Sequence, residues 1–248
     1  MIVMRSLPHI AIALLACVAP TGAAHAEGLQ VAPVSVTIPE LSGVVWLNNG
    51  SDTALRAQVR VFRWHQDNGE DELVETEDLV ASPPFVEIAP NGQQVIRLVR
   101  FGNAATQAEC ERSYRIIVDE LPPAASGEAA GLQYVLRYSV PVYLTNPACN
   151  APQQPELDLS IVANGDAAWL DVVNLGQTRA QLANVHFVAQ DGRRTAIAGG
   201  LLGYVLPGAQ RRFALTQSAA ALGSGGQIEV QLNGSQTRQP VSLAPSGQ

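Results

Sequence analysis

From Leu29 onward the apolar residues recur at a spacing of two, in short runs broken by Gly, Pro, Asn and Asp, and almost never at helical spacing. Alternation of that kind puts every second side chain on one face of an extended strand, and many short runs with turn residues between them point to stacked β-sheets. Leu55, Ala57, Val59 and Val61 face one way and Arg56, Gln58 and Arg60 the other. Phe62 and Trp64 then load the polar face, which predicts a strand whose far end is covered on both sides. Further strands are expected at 43–47, 95–99 and 114–118. A strand over 29–38 contains Pro33, which cannot donate to a ladder, and so belongs at a sheet edge.

The strand predicted over 132–143 is unusual. Leu132, Tyr134, Leu136, Tyr138, Val140 and Val142 form one unbroken apolar face, whereas strands commonly run about five or six residues. After it comes a stretch rich in Pro, Asn and Gln, 146–155, which reads as a linker. Beyond that, strands are expected at 157–161, 168–173, 181–188, 212–215 and 227–232. The organisation expected is therefore an all-β chain in two parts, 27–147 and 156–248, joined through 148–155. No repeat of 20–50 residues stands out.

The N-terminus reads as a targeting segment. Arg5, the apolar run 10–19 and the small-residue site Ala24-His25-Ala26 form the three parts of a signal peptide, 1–26, cleaved after Ala26. Leu14-Leu15-Ala16-Cys17 is a fainter match to a lipoprotein box. Cleavage would leave 222 of the 248 residues, with no later segment long and apolar enough to anchor in a membrane. All 15 basic residues are Arg, and the net charge of −7 becomes −8 without Arg5. An acidic chain without a clustered basic face lacks the footprint of a nucleic-acid binder.

Of the three cysteines, Cys110 and Cys149 remain after processing. In an oxidising compartment such a pair reads as a disulfide rather than a metal site, with structural stapling favoured over a redox role. His65 and His186 lie far apart, so no metal site and no cofactor is expected. Catalytic signatures are also missing: there is no Gly-x-Ser-x-Gly, no phosphate-binding Gly-rich loop and no His-Glu-x-x-His. The acidic run from Asp67 to Asp78 lacks the order of a calcium loop and is expected to be a solvated loop. Gly223–Gly226 reads as a flexible turn.

Six strings in order, Gln58–Trp64, Ser82–Pro84, Pro90–Leu98, Ser113–Pro122, Arg137–Pro141 and Gly200–Pro207, resemble the periplasmic pilus-assembly chaperones of chaperone–usher systems, and most of all their archaic branch. The resemblance spans essentially the whole processed chain. It implies two immunoglobulin-like β-sandwich domains in a boomerang arrangement, without enzymatic activity. Pilin or fimbrial subunits and an outer-membrane usher are the implied partners, and the periplasm is the implied compartment. The donor strand inserted into a subunit would present Leu132, Tyr134, Leu136 and Tyr138; the alternative is that this face belongs to the domain's own core.

The better-known branch anchors the subunit's C-terminal carboxylate on an Arg near the first strand and a Lys in the donor strand. This sequence has no Lys, and Val34-Ser35-Val36 offers no Arg. Arg115 is the leading candidate for that anchor, with Arg97 and Arg137 as alternatives, each of which could instead be an ordinary exposed strand Arg. Some family members carry a bridge like Cys110–Cys149 beside the subunit-binding strands. Two other readings are a secreted structural or adhesive pilus component and a carbohydrate-binding β-sandwich. Against the first, the chain starts its strands without an N-terminal donor extension; against the second, it is only 5% aromatic.

Overall fold

The computed structural model describes residues 28–101, 109–122, 134–150, 154–222 and 225–244. The first half contains β1 (Leu29–Ala32), β2 (Val36–Ile38), β3 (Ser42–Asn49), β4 (Leu55–Asp67), β5 (Glu70–Glu75), β6 (Leu79–Ser82), β7 (Phe85–Ile88), β8 (Gln93–Arg100), β9 (Glu111–Leu121) and β10 (Arg137–Thr145). One sheet runs β1-β3-β8-β6; the other runs β2-β10-β9-β4-β5, with β7 also paired to β4. Their inner faces meet in a core that includes Val45, Leu47, Ala57, Val59, Ile96, Leu98, Tyr114, Ile116, Val140 and Val142.

The second half contains β11 (Leu157–Asn164), β12 (Ala167–Asn174), β13 (Ala180–Ala189), β14 (Arg194–Val205), β15 (Gln210–Leu215), the single turn α1 (Ala219–Leu222), β16 (Gly226–Leu232) and β17 (Ser235–Ala244). The ladder runs β14-β13-β16-β17-β11-β12-β15. Strand β17 turns the corner, pairing with β16 up to Val241 and then in parallel with β11. Its core, around Leu159, Leu170, Leu182, Phe187, Val205 and Ile228, shares no residue with the first. Both halves are sealed by a buried Asn at a strand end. Asn49 Nδ2 donates to the carbonyls of Thr53 (2.7 Å) and Ile88 (3.1 Å), and Asn174 Nδ2 to those of Thr178 (2.8 Å) and Val205 (3.0 Å).

Three expectations need correction. The strand expected over 29–38 is two strands in opposite sheets. Leu29 and Val31 are buried on one side of Pro33, Val36 and Ile38 on the other. The buried set thus changes from odd to even positions, which a single strand cannot do. Both pieces do lie at sheet edges.

The acidic run is not a loop. Residues 70–75 form β5, paired with β4 from Phe62↔Glu75 to Asp67↔Glu70. The two-residue turn Asn68-Gly69 has φ of 49° and 81°, the left-handed pair that a tight hairpin matching strand twist requires. Every residue of β5 is exposed, so the run is solvated but strand-paired.

The strand expected over 132–143 is observed as β10, 137–145. Its pairing with β9 begins at Arg137↔Asp119, and one further bond runs from Glu120 N to the Leu136 carbonyl at 2.9 Å. Continuing that register would set Tyr134 against Pro122, which has no N–H, so the ladder stops. Leu132 lies outside the described residues, as do Gly223 and Ser224 of the expected turn.

Candidate functional site

Tyr114, Ile116 and Val118 of β9 point into the first core. By alternation Glu111, Ser113, Arg115, Ile117 and Asp119 point out through the other face of the sheet. Ladder partners on that face are Phe62 of β4 and Pro141 of β10, both opposite Arg115, and Tyr143 opposite Ser113. Trp64, two residues beyond Phe62, shares this face and is only 2% exposed. It is covered from the second half, forming a cluster with Tyr143 and Leu206 against which Tyr204 and Ala209 pack. The expectation that the end of β4 is covered on both sides is met only in part: the second sandwich covers its outer face at Trp64, while His65 and Asp67 on the other face are exposed.

Polar groups lock this seam. The Gln66 side chain donates to the Tyr204 carbonyl (3.0 Å) and accepts from Leu206 N (2.8 Å). Glu111, whose side chain is 1% exposed, pairs with the Arg179 guanidinium and accepts from Arg179 N at 3.0 Å. Arg179 also lies 3.6 Å over the Tyr143 ring. Burial pushes the Glu111 carboxyl above its ordinary pKa, and the pull of Arg179 in the other direction offsets this only in part. Tyr143 is likewise pushed up by burial.

Arg115 stands apart from the other candidate cations. Its guanidinium carbon lies 3.8 Å above the Trp64 ring and 5.4 Å from that of Tyr204, and Nη1 reaches the Ser139 carbonyl at 3.5 Å. Among the described residues it has no ion-pair partner. Burial lowers its pKa, against the smaller opposing influence of Tyr143, Asp71 and Tyr204. Aromatic faces can hold a cation partly out of water at modest cost, and they leave the edge of the guanidinium fork open to an anion.

Arg137 is engaged. It pairs with Asp119, which Arg60 holds from the other side at 2.8 Å. Burial alone would raise the Asp119 carboxyl, but hydrogen bonds and charge from the two Arg residues outweigh it and hold the pKa down. Arg97 sits on the other sheet, opposite Val44 and Ser82, with its side chain on the outer, exposed face.

The apolar face of the segment expected to donate a strand is divided. Val140, Val142 and Leu144 are in the first core; Tyr138 packs against that core and its hydroxyl donates to the Leu29 carbonyl. Tyr134 and Leu136 are 75% and 40% exposed. Strand β2 covers β10 only at Val142–Leu144, so among the described residues Arg137–Pro141 have no ladder partner along that edge. Just past β10, Cys149 is bonded to Cys110, with the Cα atoms 5.2 Å apart. Trp64, Gln66, Asp71, Tyr204 and the Glu111–Arg179 pair were not among the expected site residues; the one sequence signal was that Phe62 and Trp64 break the alternation of β4.

Among the described residues no group of three His, Cys, Asp or Glu side chains converges as metal ligands would, and no helix is long and apolar enough to cross a membrane. The architecture is that of paired immunoglobulin-like β-sandwiches. Residues 28–148 match the family described as "Pili and flagellar-assembly chaperone, PapD N-terminal domain".

The chain is 26% identical to a chain in the crystal structure of the CsuC-CsuE chaperone-tip adhesion subunit pre-assembly complex, from the archaic chaperone-usher Csu pili of Acinetobacter baumannii. The match covers 87% of this chain and 99% of that one, with a TM-score of 0.66. The E. coli chaperone DraB has the same fold at 16% identity and a TM-score of 0.58, with 88% and 97% covered. So does a chain of the Salmonella enterica SafA pilin–SafB chaperone complex, at 18% identity and a TM-score of 0.58, with 86% and 94% covered. No curated protein matches the chain by sequence. Residues 28–148 thus match the N-terminal domain of the PapD-like chaperones of pilus assembly, and the chain's resemblance extends to the archaic chaperone–usher branch.

Proposed function

We propose that this chain is a periplasmic chaperone that binds pilus subunits by donor-strand complementation, caps them during folding and delivers them to an outer-membrane usher. The observation that carries this reading is the exposed Tyr134–Leu136 segment leading into an edge of β10 that has no ladder partner among the described residues, beside the Arg115 cation, which has no ion-pair partner among them. A subunit missing one strand could accept this segment, with main-chain bonds giving affinity and alternate side chains giving selectivity; chaperone–pilin pairing is a known instance of such strand addition. Tyr134 and Leu136, with Leu132 upstream, would fill the subunit's groove, and Arg115 would receive its terminal carboxylate. Tyr138 is the weakest member of the donor set, because it is already packed at home.

Arg97, on the far sheet, and Arg137, neutralised by Asp119, suit the carboxylate less well than Arg115. The division into 27–147 and 156–248 about a 148–155 connector is supported by two cores with no shared residue. Export would follow from the 1–26 signal peptide, and the processed chain would begin at Glu27.

Co-expression with its pilin is expected to give a 1:1 complex in the periplasmic fraction. Tyr134→Asp combined with Leu136→Asp should abolish that complex, since carboxylates would enter an apolar groove without partners. Undiminished co-purification of the folded double variant would overturn the donor-strand reading.

A further inference from the structure

Arg115 owes its place to an aromatic platform that is itself held by one carboxylate. Trp64 Nε1 donates to Asp71 Oδ1 at 3.0 Å. The same oxygen accepts from Gln66 Nε2 at 2.9 Å and from Arg211 Nη1, on β15 of the second sandwich, at 3.2 Å. Asp71 lies on the all-exposed β5, whose hairpin with β4 reaches across the seam. Most of that strand contributes nothing to either core, yet this one side chain ties the indole, the seam glutamine and the second sandwich together. Arg115 is set 3.8 Å over the indole so fixed, with Tyr204 of the second sandwich edge-on to the same ring at 5.6 Å.

We infer that Asp71 is a positioning residue for Arg115: by fixing the Trp64 ring between the sandwiches, it holds the guanidinium fork in the orientation that receives a chain-terminal carboxylate. This rests on the anchor role proposed for Arg115. Asp71 is suited to the task because it is ion-paired with Arg211 and, although its charge is felt by Arg115, it forms no ion pair with it. The fork therefore stays open for an incoming anion instead of being capped from within. An isolated indole could tilt about its side-chain bonds; one whose N–H is fixed presents a constant face, and the attraction of a cation for an aromatic ring depends on lying over that face.

The test compares an acetylated decapeptide of alternating valine and threonine, bearing a free C-terminal carboxylate, with its C-terminal amide, by the ratio of their affinities for the full processed chain. The wild type should prefer the acid, and Arg115→Ala should bring the ratio close to one. Asp71→Ala should lower it about fivefold through weakened binding of the acid alone. Asp71→Asn keeps an acceptor for the indole N–H and should stay within roughly twofold of the wild type. Trp64→Leu removes the platform and should fall at least as far as Asp71→Ala.

A merely structural role for Asp71 would weaken acid and amide alike and leave the ratio unmoved. That result, with Arg115→Ala still losing the preference, would overturn the positioning role while leaving the anchor standing. A wild-type ratio retained by Arg115→Ala would overturn both. Asp71 is half-exposed, and thermal unfolding of Asp71→Ala and Asp71→Asn confirms that folded proteins are being compared.

Discussion

Removing Arg179 should show how much the seam depends on a single buried charge. In Arg179→Ala the Glu111 carboxylate, 1% exposed, loses its ion-pair partner, and the Tyr143 ring loses the cation 3.6 Å above it. Truncating one side of a buried pair costs about 3–5 kcal/mol, chiefly because the remaining charge is stranded. For a chain of this size 1 kcal/mol corresponds to roughly 2–4 °C in Tm, so the midpoint should fall by about 10 °C at neutral pH.

The loss should depend on pH, with a definite sign. The folded pKa of Glu111 is already raised, and removing Arg179 takes away the influences that lowered it. A carboxyl whose folded pKa lies above its unfolded value, near 4.3, stabilises the fold fully below that value and loses this contribution as pH rises through the folded pKa. The deficit of Arg179→Ala should therefore be small near pH 4, grow on going up and level off above the folded pKa. Adding Glu111→Gln to Arg179→Ala removes the stranded charge and should recover much of the deficit at pH 7.5. Thermal unfolding of the wild type, the single variant and the double variant at pH 4.5 and 7.5 tests this. An equal loss at both pH values, with no recovery in the double variant, would refute the stranded-charge account.

With export and loss of Cys17 as proposed, the processed chain should contain no free thiol, and mass spectrometry should find Cys110 and Cys149 in one cross-linked peptide; opening this 39-residue loop by reduction should cost roughly 4 kcal/mol in denaturant titrations. Asn174→Ala strips two buried carbonyls of their donor and should destabilise the second sandwich by about 1–3 kcal/mol, read as a lower urea midpoint. Tyr138→Phe should lose about 1 kcal/mol with its bond to the Leu29 carbonyl while leaving pilin capture intact; a loss of capture would return Tyr138 to the donor set. Gly69→Ala should cost about 1 kcal/mol, since its φ of 81° suits glycine, and the hairpin tip has open space around it that rules out a clash.

What could be read from the sequence was whatever alternation and turn chemistry encode locally. Leu55–Val61 and Val95–Val99 were legible because one side of each strand is more deeply buried than the other, whereas Ile116–Val118, buried on both faces, shows as a continuous apolar run. Residues 70–75 hid as a strand because β5 buries nothing on either face, leaving no alternation to detect; the Asn68-Gly69 turn was the signal that remained. Strand β14 was missed for a related reason, since Gly199 and Gly200 carry no side chain to report a face.

At the site, residue type and placement put Arg115 forward, but the distinction between it and Arg137 depends on Asp119, eighteen residues away from Arg137 in sequence. The Trp64–Tyr204 and Gln66–Leu206 contacts join residues about 140 positions apart, beyond the reach of any local pattern.

Strand β4 has a property that follows from serving two masters along one ladder. Its first residues, Leu55, Ala57 and Val59, fill the first core, and its last, Trp64 and Gln66, grip the second sandwich from the opposite face. Because successive side chains alternate, one residue inserted between Val61 and Arg63 would turn Trp64 toward the core side and present Arg63 to the seam. Substitutions along β4 can be absorbed one at a time, but a change in its length cannot. The strand acts as a ruler: the number of residues between Val59 and Trp64 fixes which side of the first sandwich the second one meets.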